Sequence, residues 1–446
     1  LAPSAFDAWW NLYDEIAKHL RVQVTIDAKT SLLGLGEADE LLADQDRDLR
    51  KQVWQATNEA WKVHDLSVAQ GLNSLAGIRL KENELRSSKR PKHFLDDAFH
   101  DAGVKAETIE AMIAVARDNL PTAHKAMALI AEGMGATHYE PWDKFAPCPT
   151  SLSRQEKNSD KMTFPEAIDL VRKAFSSFHP DMGAFVDTCL ADRMIEARTL
   201  PGKTPGAYSH SFLRSGKAPV FMSYSGSLDQ IFTLAHELGH SLHTYSMNDL
   251  PVIQRDYPMT VAETASNVGE MLLSGYLQQQ DTSKTDIVTS WADMQNGIGY
   301  LVNIPLRYEF EKALYERRQD EFLTPNDLRE EMLRAHELWY GDGMETKDPM
   351  FWASKQHFHF SDISFYNFPY AFGYLFASGV YSKILEQGSD FYPAYINLLR
   401  DTGRMSAEDL AAKHLGVDLT QKDFWQTSYD IFAQKVADFE RALKGN

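Results

Sequence analysis

Two histidines four positions apart, His236 and His240, bracket Glu237, and this His-Glu-x-x-His run occurs once in 446 residues. On a helix, residues i and i+4 share a face with Cβ atoms about 5–6 Å apart, so a helix over Ile231–Thr244 lets the two imidazoles converge on one ion. Glu237 then projects about 100° round the axis, near enough to reach a water held by that ion without ligating it. Ser227 with Gln230 supplies capping-box spacing for the helix start. A chance occurrence of the pentapeptide in a chain of this composition is on the order of 4%. The plain alternative is a pair of satisfied core histidines.

A catalytic zinc site takes three protein ligands and keeps a position open for water. The next acid with suitable placement is Glu263, which follows Pro258 at the start of a further helix. Thr260-x-x-Glu263 also has capping-box spacing, so Glu263 has a purely structural alternative. Glu270, seven residues on, lies on the same face and could orient a ligand histidine or stand in solvent. His243 is off the i,i+4 spacing and reads as a residue that packs or that supports a ligand from behind. A di-iron helical bundle would need a second Glu-x-x-His, and none of the 15 histidines besides His240 has Glu three residues before it.

Composition narrows the remaining classes. Hydrophobic residues are 43% and charged residues 24%, a globular balance, and 446 residues allow two or three lobes. With 45 basic against 63 acidic residues the net charge is −18, and the densest basic stretch, Arg86–Lys92, is short. Nucleic acid is therefore not an expected partner, because that affinity comes largely from neutralising phosphates. No apolar run reaches membrane-span length. Two cysteines, Cys148 and Cys189, fit a reducing, cytoplasmic compartment. The chain begins at Leu1, so a leading segment, with or without an export signal, stays open.

Most of the chain has helical periodicity. Val53, Trp54, Ala60, Trp61, Val68, Leu72 and Leu75 form one stripe that predicts a helix over 49–85. Further helices are expected over 106–131, from Thr163 (capped through Glu166), and over 286–318, 326–340, 368–387, 390–402, 406–414 and 422–443. Pro141, Pro147 and Pro149 mark a boundary, giving an N-terminal helical lobe over 1–140 and a catalytic region over 141–446. Turn signals at 202–206 and 215–217 frame Ala207–Leu213 and Pro219–Tyr224 as a β-hairpin or small sheet.

The blocks Phe232–His243, Pro201–Tyr208 and Val220–Gly226, together with His359-Phe360 and Phe365-Tyr366-x-x-x-Tyr370-Ala371-x-Gly373, resemble the oligoendopeptidase F branch of the thimet oligopeptidase family. The resemblance runs from about Arg79 to Phe439. It implies a mainly α, two-lobed zincin-type metallopeptidase, with a small sheet beside the active-site helix and a deep channel that admits short unstructured peptides. It also implies one zinc ion per chain on His236, His240 and Glu263, with Glu237 as general base. His359 and Tyr366, and more weakly Tyr370, would donate hydrogen bonds to the oxyanion or to substrate carbonyls. Val220–Tyr224 would be the sheet edge that receives the substrate as an added strand. Without the resemblance, the aromatic run from Phe365 to Phe376 reads as core. Periodicity does not choose between His357 and His359, which share a face in an extended stretch and separate on a helix; the family spacing favours His359 and leaves His357 as a bystander. The departures are Ser364 and Asn367, which flank Phe365-Tyr366, and the stretch Arg307-Tyr308-Glu309-Phe310-Glu311, where only the Phe-Glu pair matches.

Two other functions compete with an endopeptidase. A zinc carboxypeptidase of related helical fold would need a basic group gripping the terminal carboxylate. A catalytically silent zinc-binding interaction protein would have no use for Glu237. Oligomeric state leaves no mark in the sequence.

Overall fold

The computed structural model describes residues 3–445 apart from 27, 88–89, 154–160, 201–202, 204–205, 213 and 281–284. Part of the turn cluster expected at 202–206, the end of the Ala207–Leu213 segment and Lys89 of the basic stretch lie outside the described residues. The chain divides into two compact units built from interleaved segments. One comprises Leu1–His100, Ala116–Pro149 and Trp291–Phe368, the other Asp101–Val115, Thr150–Ser290 and Pro369–Asn446. One crossing between them, at Pro149–Thr150, falls in the proline-rich stretch.

The first unit is helical, with one hairpin, β1 (Val22–Ile26) against β2 (Lys29–Leu33). The helix expected over 49–85 is two, Arg47–Lys62 and Asp65–Arg86, separated at Val63-His64. Val53, Trp61, Val68, Leu72 and Leu75 are all buried, so the apolar stripe runs on across the break and periodicity alone does not see it. Within that stripe Asn73 is buried and fully engaged: Nδ2 donates to the Leu323 carbonyl at 2.9 Å, and Oδ1 accepts the Leu323 amide at 2.9 Å. The 106–131 stretch also divides, into Ala106–Asp118 and Leu120–Gly133. Pro121 lies in the first turn of the second, where its missing N–H costs nothing, whereas in a continuous helix it would break the ladder.

The second unit carries the His-Glu-x-x-His segment. Thr163 and Glu166 open the Phe164–Phe178 helix as the capping box predicts, with the Thr163 amide donating to Glu166 Oε2 at 2.8 Å. The motif helix runs Leu228–Ser246. Ser227 makes no side-chain cap; instead Gln230 Oε1 reaches back to accept the amides of Ser225 (2.6 Å) and Gly226 (3.1 Å). A second helix, Thr264–Gln279, packs directly on the motif helix. Two glycines set their closeness. A Cβ on Gly239 would stand 2.4 Å from the Ala265 carbonyl oxygen, and one on Gly269 would stand 2.7 Å from that of Ala235. Only hydrogen fits at either crossing point.

Beside the motif helix lies a three-stranded sheet of β3 (Ile195–Glu196), β4 (Ala207–Ser209) and β5 (Val220–Met222), in the order β3-β5-β4. β5 pairs parallel with β3 and antiparallel with β4. This corrects the expected substrate edge: Val220–Tyr224 supplies the central strand, and the edges are β3 and β4. The two-residue β3 is too short to announce itself in the sequence. Ser241 Oγ, on the motif helix, donates to the Ala218 carbonyl and lies 3.2 Å from Ser209 Oγ, which fastens the sheet to the helix. The architecture is mainly α with a small sheet beside the motif helix, as expected.

Replacing Gly239 with alanine should cost about 1–3 kcal/mol through overpacking against the Ala265 carbonyl. Gly36→Ala, in an exposed helix with nothing within 4 Å of the added methyl, should be neutral or mildly stabilising. Thermal unfolding followed by circular dichroism ranks the two; equal midpoints would contradict the tight crossing.

Candidate metal centre

His236 and His240 project from one face of the motif helix with Nε2 atoms 3.2 Å apart. Glu263 sits between a single turn, Met259–Ala262, and the Thr264–Gln279 helix. Its Oε2 lies 3.3 Å from His236 Nε2 and 3.4 Å from His240 Nε2. The capping-box alternative for Glu263 does not hold, because Thr260 lies inside the Met259–Ala262 turn, whose cap position is Pro258, and the Glu263 carboxylate is turned to the two imidazoles. Ser266 Oγ donates to Glu263 Oε2 at 2.7 Å and fixes the carboxylate. Among the described residues these three are the group of His, Cys, Asp or Glu side chains whose donor atoms converge closely enough for a metal ion. Tetrahedral zinc with nitrogen ligands at about 2.0–2.1 Å requires ligand atoms about 3.3 Å apart. The observed triangle has edges of that length, so the donor set fits the ion in number, chemistry and size.

The surroundings are built for the same purpose. Glu270 Oε1 is 2.5 Å from His236 Nδ1, which fixes the ring and leaves Nε2 toward Glu263 and His240. Burial alone would lower the His236 pKa, but the bonds to Glu263 and Glu270 outweigh it and carry it up to about 10. Burial would raise the Glu263 carboxyl; the two histidines override this and hold it far below the usual carboxylate range. Glu237 is buried, and its Oε2 has no hydrogen-bond partner among the described residues. Burial raises its pKa, against the opposing pull of His236 and His240. The Ser209 amide of β4 also faces this carboxylate. His243 is core, as its spacing predicts: it stacks on Tyr257 at 4.2 Å, and its Nε2 is 2.9 Å from Thr402 Oγ1. Burial pushes its pKa down to about 3.

Of the remaining candidates, Tyr370 is half-buried in the same unit as the triad. It lies one turn before Gly373, which meets Glu263 so closely that a Cβ there would stand 3.3 Å from Glu263 Cβ. His359 and Tyr366 belong to the first unit. His359 is 2% exposed, stacks on Tyr13 at 4.1 Å, and has its Nε2 3.0 Å from the Trp352 carbonyl. Burial takes its pKa down to about 4, so the ring is neutral and donates that proton to Trp352. Half-buried His357 is instead the imidazole beside Tyr366, edge to face with centroids 4.9 Å apart. Its Nδ1 is 2.8 Å from Asn367 Oδ1. Sequence reasoning set His357 aside because periodicity could not choose between the two histidines and only the family spacing favoured His359. The segment is a tight helical turn, Gln356–Phe358, which separates them. Also unforeseen was Glu311, a buried carboxylate whose Oε1 accepts the Phe365 amide at 2.7 Å, immediately before Tyr366.

The fold and the triad together define a helical protein of the His-Glu-x-x-His class, with its third donor on an adjoining helix. The profile of peptidase family M3 matches residues 40–431, and the chain belongs to that family. It is 25% identical over 414 residues to oligopeptidase PepF of Bacillus subtilis (strain 168), covering 92% of this chain and 60% of that protein. It is 23% identical over 416 residues to the chromosomal oligoendopeptidase F of Lactococcus lactis subsp. cremoris, covering 92% and 66%. The chain therefore spans roughly three fifths to two thirds of the length of these relatives. The crystal structure of oligoendopeptidase-F from Enterococcus faecium superposes with a TM-score of 0.77 at 18% identity, over 100% of this chain and 73% of that one. That likeness is one of fold. Among the described residues no helix is long and apolar enough to cross a membrane.

A metal arriving at Nε2 of His236 must displace the proton shared there with Glu263 in the metal-free protein, while Glu270 stays on Nδ1. Zinc titrated into chelator-treated protein at pH 7.5 should release about one proton per ion, and apparent affinity should fall as pH drops. Calorimetry in buffers of different ionisation enthalpy measures this; identical heats in all buffers would contradict it.

Proposed function

We propose that this chain is the catalytic part of a zinc-dependent endopeptidase that hydrolyses internal bonds of short, unstructured peptides. The observation that carries this reading is one arrangement: two imidazole nitrogens and a carboxylate oxygen 3.2–3.4 Å apart, beside a buried carboxylate with an unpartnered oxygen. A silent metal-binding protein has no use for that second acid. Family membership and the names of the two curated relatives, both oligopeptidases, support it.

In this reading His236, His240 and Glu263 hold one zinc ion, and Glu270 keeps the His236 ring in place. The bound ion supplies Lewis acidity, polarising the scissile carbonyl and lowering the pKa of a water. Glu237 takes the water's proton on its unpartnered oxygen and passes it to the departing amine; its raised pKa makes it a better acceptor and a ready donor. Strand β4, with Tyr208 exposed and the Ser209 amide beside Glu237, receives the peptide as an added strand. Tyr366 donates to the oxyanion or to a substrate carbonyl, and His357, rather than His359, is the imidazole that accompanies it. Tyr370 is a second donor of the same kind. A cytoplasmic setting accords with two free cysteines.

Glu237→Gln should retain bound zinc by metal analysis while abolishing cleavage of a quenched fluorescent peptide; substantial turnover would reject Glu237 as the base. Tyr366→Phe should lower kcat by about 10²–10³ with a smaller effect on KM, and His357→Ala should impair kcat more than His359→Gln does. An unchanged kcat in Tyr366→Phe removes that residue from the site.

A further inference from the structure

Two cationic side chains from separate stretches of the first unit, Lys144 and Arg307, gather around Phe351 and two asparagines, and a third, Lys355, is near enough for its charge to act on Lys144. Lys144 Nζ stands 4.9 Å from the centre of the Phe351 ring and 3.3 Å from Asn303 Oδ1. The Arg307 guanidinium stands 5.4 Å from the same ring; its Nη2 and Nε donate to Asn303 Oδ1 at 2.6 and 2.9 Å, and its Nη1 donates to Asn367 Oδ1 at 2.9 Å. Lys355, four residues after Phe351, completes the group, and its charge acts on both His357 and Lys144. Arg307 is 8% exposed, and the two lysines are half-buried.

Buried cations ordinarily pair with acids, because desolvation is otherwise uncompensated. Here, among the described residues, no carboxylate oxygen lies within 4.0 Å of Lys144 or Lys355. Of the acids that act on them from further away, Asp348 is held by Trp54 Nε1 (3.0 Å) and Asn58 Nδ2 (3.1 Å), and Asp39 lies exposed. Burial and mutual repulsion take Lys144 well below the usual lysine range and Lys355 down to about 7. A cluster that costs this much in the free protein is relieved by an arriving anion. Asn367 Oδ1 joins it to the substrate-facing pair of the proposed reaction, since the same oxygen lies against Arg307 Nη1 and His357 Nδ1, and His357 stands against Tyr366.

We propose that Lys144, Arg307 and Lys355 form a carboxylate-binding subsite for the peptide substrate. This rests on the peptidase reading above and deepens it, because it makes the enzyme prefer peptides with an acid near one end. The acid is either the chain's own C-terminus or an Asp or Glu side chain. Both present the same planar group to one guanidinium and to two lysine amines, which hold their protons more firmly once the anion is beside them.

The test uses zinc-loaded enzyme and three quenched fluorescent peptides of one sequence: free C-terminal acid, C-terminal amide, and amide with glutamate as last residue. The acid or the glutamate amide should exceed the plain amide in kcat/KM by about 10–100-fold, mainly through KM. The peptide that shows the preference identifies the source of the carboxylate. Lys355→Met and Lys144→Met should each draw that ratio towards one, and Lys355→Arg should restore it. Equal cleavage of all three peptides overturns the subsite, as does a preference that survives both methionine variants. Anisotropy titrations of the Glu237→Gln protein with the same peptides separate the two readings. Tighter binding of the carboxylate forms upholds the subsite even if wild-type enzyme cleaves none of them, a result that would sink only the peptidase reading. Equal binding overturns the subsite whatever the cleavage result.

Discussion

The second unit depends on how closely two helices approach. Gly239 and Gly269 bring the motif helix and the Thr264–Gln279 helix to distances at which a single methyl group would strike a carbonyl oxygen of the neighbour. A glutamate side chain is only three rotatable bonds long, so its reach is a few ångströms. Were the helices at an ordinary separation of about 8–10 Å, Glu263 and Glu270 could not both reach one imidazole. With the glycines in place one carboxylate meets Nε2 and the other Nδ1 of His236. The convergence of the candidate ligands is thus a consequence of backbone packing, to which Gly239, inside the motif, contributes directly.

That closeness also sets the electrostatics. Three carboxylates stand around two imidazoles, yet they are not equivalent. Glu263 and Glu270 bond directly to a histidine ring, whereas Glu237 projects to the side, is buried, and keeps an oxygen without a partner. Direct bonds hold Glu263 far on the ionised side, and burial raises Glu237 toward the neutral side. Pushing like groups apart in proton affinity is how one site separates a ligand from a proton carrier. Position on the helix decides it: His236 and His240 share a face, and the next residue along is turned away from it.

What could be read in advance follows the range of the interactions. The motif helix, its paired imidazoles and the second helix were legible because 3.6-residue periodicity and i,i+4 spacing are local. Glu263 was ambiguous for an equally local reason, since Thr260-x-x-Glu263 satisfies a capping pattern, and the choice is made by His236 and His240 on the motif helix, to which its carboxylate turns. The strand order was misjudged because β3 has two residues and joins β5 only in the fold. His357 and His359 could be told apart only once the turn between them was known. The cationic cluster, drawn from positions 144, 307 and 355, has no sequence signature at all.

The segment carrying Tyr366 shows how far the molecule goes to hold one aromatic ring. Phe365 has φ of 54°, in the left-handed region that a bulky residue enters at a cost of about 1–3 kcal/mol. Such a conformation persists only where its surroundings over-determine it. The Glu311 carboxylate accepts the Phe365 amide from below, and Arg79 Nη2 donates to the carbonyls of Phe360 (2.7 Å), Ser361 (3.1 Å) and Ile363 (2.9 Å) just before it. The Phe365 ring is itself wedged against Tyr315 and Phe94. Burial pushes Glu311 up to about 7, so it changes charge near neutral pH. Its task survives that change, because a carbonyl oxygen remains to accept the amide in either form. A strained turn held by an acceptor indifferent to protonation keeps Tyr366 in one place on either side of neutral pH.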